Sequence, residues 1–306
     1  MKLDTRKFEG LVESALEEDI GNGDITTNST IPDNLIISAS FIANEPGIVA
    51  GLPIVDHIFA RYGGKVCFEA GVKEGDSVAT GDLIAHLKGN ARIILSNERV
   101  SLNFLQRLSG IATLTSLYVK QASNHNIKIV DTRKTTPGWR YIEKYAVTVG
   151  GGYNHRIGLF DQVLIKDNHL SILNSCRSSS KEDNAQSKIG KDLIINTVHS
   201  VKEQIPENML IEIEIDQPGN VKDALESGAD IIMFDNMNPD QISTALQIVR
   251  DWELETKRKR PLIEVSGRVT LKNIDKIAQA GIDRIAIGAI THSSKALDIS
   301  LAIDGI

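Results

Sequence analysis

Cysteine is scarce in this 306-residue chain. Cys67 and Cys176 stand far apart, which excludes a disulfide framework and any Cys-based metal spacing. No apolar run is long enough to span a bilayer. The first twenty residues, MKLDTRKFEGLVESALEEDI, mix acids into every turn where a secretory signal would be apolar. There is no basic excess: 34 Lys and Arg against 40 Asp and Glu leave a formal charge of −6, which argues against a general nucleic-acid binder. The one basic run, KRKR at 257–260, reads as a solvated loop. No repeat of solenoid period is visible. No Gly-rich dinucleotide fingerprint and no Ser-His-Asp or Cys-His nucleophile set is visible either. The expectation is a soluble cytoplasmic protein with no membrane or nucleic-acid partner.

What is present is a chain that is 41% hydrophobic and long enough for one large or two ordinary domains. Residues 7–19 have helical spacing, with Phe8, Leu11, Val12, Ala15 and Leu16 on one face. Short β-like runs follow, LIISASFIAN and GIVAGL, then a helix, PIVDHIFARYG. The Gly-Asp turn pattern of 70–91 is similar to biotinyl or lipoyl carriers but lacks their hairpin lysine, so a compact β sandwich is the favoured reading. A long helix is expected over 92–123. Thereafter β runs (IKIVD, QVLIKD, LIEIEID, DIIMFDN, LIEVSG, DRIAIG) alternate with helix-like segments, the pattern of a parallel sheet. Six such units without a dinucleotide motif favour an α/β barrel over a doubly wound sheet. The polar, Ser-rich stretch 174–191 reads as a mobile surface loop.

Barrel active sites lie at the C-terminal ends of the strands. Here those ends carry Asp131-Thr132-Arg133-Lys134, Lys166-Asp167-Asn168-His169, Asp235-Asn236, Ser266-Gly267-Arg268 and Gly288. In IEIEID, side chains alternate between faces, so Glu212, Glu214 and Asp216 share the face opposite Ile211, Ile213 and Ile215. If the isoleucines meet the helix layer, the acids point inward, where carboxylates are costly unless paired or metal-bound. For Glu212 a buried salt-bridge network, with Lys166 as a partner, is the competing structural reading. Arg133, Lys134, Arg140, His155, Arg156 and Lys166 crowd into 131–169, more cations than the barrel acids balance. The surplus suggests a polyanionic ligand bearing carboxylates and phosphates. Arg140, at a helix start, is left as a surface residue. Small residues at two consecutive strand ends, in VSGR and AIGA, suit a phosphate held by backbone N–H groups. Acids able to hold Mg²⁺ beside such a pocket point to transfer chemistry on a phosphorylated sugar.

The motifs EEDIGNGDITT (17–27), NERVSLNFLQRLSGIAT (97–113), DTRKTTPGWRYIEKYAVTVGGGYNHRIGLFDQVLIKDNH (131–169), IEIEID and MFDN together resemble the quinolinate phosphoribosyltransferase family nearly end to end. The resemblance implies an N-terminal α/β sandwich over 1–115, including the start of a linking helix. An open TIM-like α/β barrel over 116–290 and a C-terminal helix over 291–306 returning to the N-terminal domain would follow. It implies a homodimer and a Mg²⁺-dependent reaction. Quinolinate and 5-phosphoribosyl 1-diphosphate would give nicotinate mononucleotide, diphosphate and CO₂, within NAD synthesis. By that resemblance Arg133, Lys134, His155, Arg156 and Lys166 meet the quinolinate carboxylates, and Arg99 reaches a partner's site. Glu214 and Asp235 hold the ribose hydroxyls and the Mg²⁺-diphosphate. Ser266, Gly267 and Gly288 cradle the 5′-phosphate. Lys134, Lys166, Glu214 and Asp235 form the catalytic group. Thr135, Thr136 and the Pro137-Gly138 turn shape the loop. The chain departs from the expected SGG or SGN by having Arg268.

Two other readings compete. One is nicotinate phosphoribosyltransferase or a related enzyme acting on another acid, which binding of nicotinate as tightly as quinolinate would favour. The other is a non-catalytic phosphate-binding barrel, against which Glu214, Asp235 and Lys166 argue.

Overall fold

In the computed structural model, residues 3–177 and 191–305 are described, and they divide into two units. The first comprises the residues up to Val119, Asp131–Asn154 and those from Gly288 onward; the second comprises Lys120–Val130 and His155–Ile287.

The first unit begins with the amphipathic helix Glu9–Ile20, which buries Val12 and Leu16. Five strands follow: β1 (Ile36–Ala43), β2 (Gly47–Ile48), β3 (Val66–Ala70), β4 (Ser77–Val78) and β5 (Leu83–Asn90). The 70–91 stretch is thus a set of short strands, as its turn pattern predicts. β1, β3 and β5 lie in one antiparallel sheet, and β2 pairs with β4. The core joins Phe41, Ile84 and Leu87 of the sheet to Val55 and Phe59 of the helix Leu52–Ala60. Ile94, Leu102 and Leu105 of the helix Ala91–Ala122 complete it. Each such side chain contributes roughly 1.5–3 kcal/mol by leaving water.

The expectation for the C-terminal residues is corrected here. The tail forms a strand and no long helix: after the short helix Ala289–His292, residues Ile299–Ile303 pair antiparallel with β1. Ile299, Leu301 and Ile303 alternate with Ser300 and Ala302, a period of two that suits a strand. The tail also passes over the long helix at Gly110, where an added Cβ would meet the Lys295 carbonyl oxygen at 2.0 Å. Residues 131–154 also belong to the N-terminal unit, where 116–290 was expected to be continuous.

The second unit is built on β6 (Lys128–Val130), β7 (Val163–Ile165), β8 (Ile211–Ile215), β9 (Ile231–Asp235), β10 (Leu262–Ser266) and β11 (Arg284–Ala286). The tail strand Ile299–Ile303 is β12. All six strands are parallel, in the order β6-β11-β10-β9-β8-β7. The consecutive strands β6 and β7 therefore lie at opposite edges, which leaves the α/β barrel open between them. Helices follow the strands, the longest being Pro239–Thr256, begun by an Asn238–Gln241 capping box. The basic run behaves as a loop: Arg258 and Lys259 are exposed, while Arg260 pairs with Asp283. Of the polar stretch 174–191, residues 174–177 continue the helix Asp167–Arg177 and Lys191 opens the helix Lys191–Lys202. The remainder lies outside the described residues.

Candidate active site

Within the second unit, β8 sets the depth of two carboxylates. All five of its residues are buried, and Asp216, one step beyond, is exposed. Glu212 is fully buried. Its Oε2 accepts from Gln162 Nε2 at 2.6 Å and lies 2.8 Å from His155 Nε2. His155 Nε2 is also 3.6 Å from Glu264 Oε1, and Glu264 pairs with Arg284 at 2.6 Å. The predicted buried network around Glu212 exists, but its partners are Gln162 and His155, and Lys166 pairs elsewhere.

The ligand atoms of His155, Glu212 and Glu264 lie within 4.8 Å of one another, close enough to hold a metal. Proton placement argues against it. The Arg156 backbone N–H donates to His155 Nδ1 at 2.8 Å, so the ring proton sits on Nε2, the nitrogen that faces the carboxylates. A protonated nitrogen cannot ligate a metal. Arg156, 8% exposed, donates from Nη1 to the Gln162 carbonyl at 3.1 Å. His155, Arg156, Gln162 and Glu212 thus close a ring of contacts inside the barrel.

Glu214 is the shallower acid. Its Oε1 accepts from Lys166 Nζ at 2.5 Å, and the Lys166 side chain is 41% exposed. Burial pushes the Glu214 carboxyl above its ordinary value; Lys166 opposes the shift, and the nearby charges of Asp235 and Asp167 add to it. Asp235 ends β9 opposite Ser266 of β10, and its Oδ2 accepts from Asn236 Nδ2 at 2.7 Å. Asn236 donates its backbone N–H to the Ser266 carbonyl at 3.0 Å. Gly267 (φ +87) packs so tightly that a Cβ would meet Asn236 Oδ1 at 2.2 Å. Lys166, Glu214, Asp235, Ser266 and Gly267 therefore occupy neighbouring strand ends of one sheet.

The first unit holds the other predicted residues. The loop after Asp131 carries Arg133 and the exposed Lys134. Arg133 Nε is buried without a hydrogen-bond partner among the described residues, as suits a group reserved for a ligand. The Lys134 stem crosses Gly288, where a Cβ would approach Lys134 Cδ to 3.0 Å. Arg140 is more than a surface cation: it donates to Thr135 Oγ1 at 3.0 Å and to the Arg133 carbonyl at 3.4 Å. Arg99 is exposed on the long helix.

Several partners escape a sequence reading. Glu264 alternates with Ile263 and Val265 in LIEV just as Glu212 does in IEIE, a signal open to the same argument. Gln162, Arg284, Arg107 and Thr291 carry no local pattern. Glu143 and Lys144 look like ordinary helix residues, yet both are fully buried.

Comparison with known proteins adds four findings. The family model described as quinolinate phosphoribosyl transferase, N-terminal domain, matches residues 24–109, and that of its C-terminal domain matches 111–302. A chloroplastic nicotinate-nucleotide pyrophosphorylase (carboxylating) of Arabidopsis thaliana is 42% identical over 315 residues, covering 98% of this chain and 84% of its own length. A probable nicotinate-nucleotide pyrophosphorylase (carboxylating) of Bacillus subtilis is 40% identical over 286 residues, covering 94% of this chain and 90% of its own. The solved nicotinate-nucleotide pyrophosphorylase of Francisella tularensis superposes with a TM-score of 0.85 at 35% identity, covering 99% of this chain and 98% of that one.

Proposed function

The chain belongs to the quinolinate phosphoribosyltransferase family, and from that premise we propose how its residues carry the family's reaction. The enzyme joins quinolinate to 5-phosphoribosyl 1-diphosphate and releases nicotinate mononucleotide, diphosphate and CO₂. The observation that carries this reading is the Lys166–Glu214 pair beside Asp235 at adjacent strand ends.

In the transfer step the pyridine nitrogen attacks C1 of the ribose while the C1–O bond to diphosphate breaks. The nitrogen has no proton to lose, so no general base is needed, consistent with the missing nucleophile set. Positive charge develops on the ribose ring, and a Glu214 carboxylate beside it lowers the barrier electrostatically. Lys166 exchanges Glu214 for a substrate carboxylate, an exchange that its exposure permits. Arg133 and Lys134 bind the quinolinate carboxylates as charges that position without carrying protons. The ring nitrogen is then cationic and stabilises the electron pair left at C2 when CO₂ departs; C2 takes up a proton. His155 acts through Arg156, since both its ring nitrogens face protein groups. Ser266, Gly267 and Gly288 serve the 5′-phosphate.

Glu214 and Asp235 offer hard oxygen donors on neighbouring strands, and their mutual repulsion is what a divalent cation relieves, so the pair fits Mg²⁺. When bound, Mg²⁺ would neutralise charge on the leaving diphosphate. We place the enzyme in the cytoplasm as a homodimer whose Arg99 enters the partner's site. No described helix is long and apolar enough to cross a membrane, and both cysteines are free thiols.

The test is CO₂ release from carboxyl-labelled quinolinate, with mononucleotide formation assayed from quinolinate and from nicotinate. Release that needs both the sugar diphosphate and Mg²⁺ is expected. Mononucleotide from nicotinate alone would move the assignment to the nicotinate enzyme. For the dimer, Arg99→Ala mixed with Lys166→Ala is expected to regain activity through one intact site; no recovery after confirmed subunit exchange would remove the shared site.

A further inference from the structure

Glu143 and Lys144 are adjacent on the helix Arg140–Val149, and both are fully buried. Two buried ionic groups side by side are a poor route to stability, because desolvation offsets most of their attraction. Both act on the same loop. Lys144 Nζ pairs with Asp131, whose Oδ2 also accepts from Asn154 Nδ2 at 2.6 Å. Glu143 Oε2 accepts from the Thr136 backbone N–H at 3.1 Å, and its Oε1 from Thr136 Oγ1 at 2.8 Å. Arg107 completes the clamp. It donates to Glu143 Oε1 from Nη2 at 2.8 Å and from Nε at 3.1 Å, to Ser294 from Nη1, and to the Thr291 carbonyl. Thr291 Oγ1 in turn donates to the Lys134 carbonyl at 2.7 Å.

The loop is thus held at Asp131, Lys134 and Thr136, while the Lys134 side chain stays exposed above Gly288. A lysine on a free loop would sweep a large volume, since its four-carbon stem carries high rotamer entropy. Fixing the backbone on both sides of Lys134 confines its ammonium. Misplacement of such a group by about 1 Å costs roughly a hundredfold in rate. We propose that Glu143, Lys144, Arg107 and Thr291 are positioning residues that fix residues 131–136 so that Lys134 presents its charge to a substrate carboxylate in one orientation. The substrate in this inference rests on the proposed function; the clamp itself does not.

The experiment uses the full-length enzyme with Glu143→Gln, Thr291→Val and Thr291→Ser. Three readouts are taken: KM and kcat for quinolinate, residue-resolved hydrogen exchange, and thermal melting. Glu143→Gln is expected to expose the Thr136 amide, speeding its exchange roughly tenfold or more while strand amides hold their protection. Thr291→Val removes one hydroxyl donor to Lys134 and is expected to raise KM for quinolinate roughly tenfold. Thr291→Ser restores the donor and is expected to return KM toward the wild-type value. Should Glu143→Gln fail to fold, the Thr291 pair decides alone. Unchanged KM in folded Thr291→Val, or a KM equally high in Thr291→Ser, would overturn the proposal. So would faster exchange spread evenly over the chain, which marks a merely structural residue. Wild-type enzyme inert toward quinolinate, with selective exchange at Thr136 in Glu143→Gln, would overturn the substrate reading and leave the clamp standing.

Discussion

Glu212 and Glu214 project from one face of β8, two residues apart, yet their surroundings differ. Glu212 lies deeper, with a neutral amide and an imidazole as neighbours. Glu214 lies at the strand end, with one half-exposed lysine as partner and two other carboxylates nearby. One step of strand pleat separates a braced acid from the one that the proposed function assigns to the reaction. The deep residue has contacts that cannot leave; the shallow one has a partner that can swing to a ligand.

The sharpest way to break this comparison is to neutralise the shallow acid. Glu214→Gln is expected to lower kcat/KM by about a hundred- to a thousandfold, the usual size for losing one electrostatic contact in a transition state. Its melting temperature should stay level or rise, because a carboxylate destabilised by burial has been removed. Initial rates and thermal melts on one sample check both halves. A variant that loses stability along with activity would place Glu214 with the braces.

The deep acid should behave in the opposite way. Glu212→Ala leaves Gln162 and His155 facing a cavity, and each unsatisfied buried group costs about 1–3 kcal/mol. The expected result is a clear drop in the urea midpoint at an unchanged slope. The surviving folded enzyme should show a raised KM for quinolinate, through Arg156, more than a lowered kcat. A large kcat loss at native stability would make Glu212 a participant in the chemistry.

The two acids also differ in how far they were legible. Alternation in IEIEID places both inside the barrel, and the strand-end rule singles out Lys166, Glu214 and Asp235. Family motifs supply the reaction. Pattern does not reveal partners distant in sequence: Arg107 meets Glu143 across 36 residues and Thr291 across 184. The tail shows the reverse: the resemblance implied a helix there, while the alternation of Ile299, Leu301 and Ile303 already suits the strand that pairs with the edge of β1. Helix spacing in YIEKYAV hides the burial of Glu143 and Lys144, since a lone charged residue on a helix normally faces water.

A pH titration of stability sharpens the comparison further. Glu214 binds its proton more tightly when folded than the ordinary carboxyl value of 4.5 allows. Between that value and the raised one, the folded state holds more protons than the unfolded state. Stability from this group is therefore present below pH 4.5 and is lost as pH rises through the folded value. Glu74, also raised by burial, contributes with the same sign. Glu214→Gln should flatten part of the slope in urea melts taken upward from pH 4.5, and Glu74→Gln another part. A slope steeper in Glu214→Gln than in the wild type would contradict the sign.

The smallest effect concerns the backbone at the barrel mouth. Asn236 and Arg268, just beyond the ends of β9 and β10, adopt left-handed conformations at φ 55° and 52°. Glycine and asparagine enter that region readily, and a long side chain does so at a cost. This explains why SGG or SGN is expected where the chain has SGR: the position asks for its backbone angle. Arg268 is exposed, so its replacement removes strain without opening a cavity. Arg268→Gly is expected to gain up to about 1 kcal/mol, partly offset by the greater freedom of glycine in the unfolded chain. That gain corresponds to a melting shift of roughly 2 °C. KM for phosphoribosyl diphosphate should not move. A rise in that KM would instead put the guanidinium on a phosphate, and would mean that strain at the mouth is retained for a contact, as the proposed function has Glu214 retain its costly burial for chemistry.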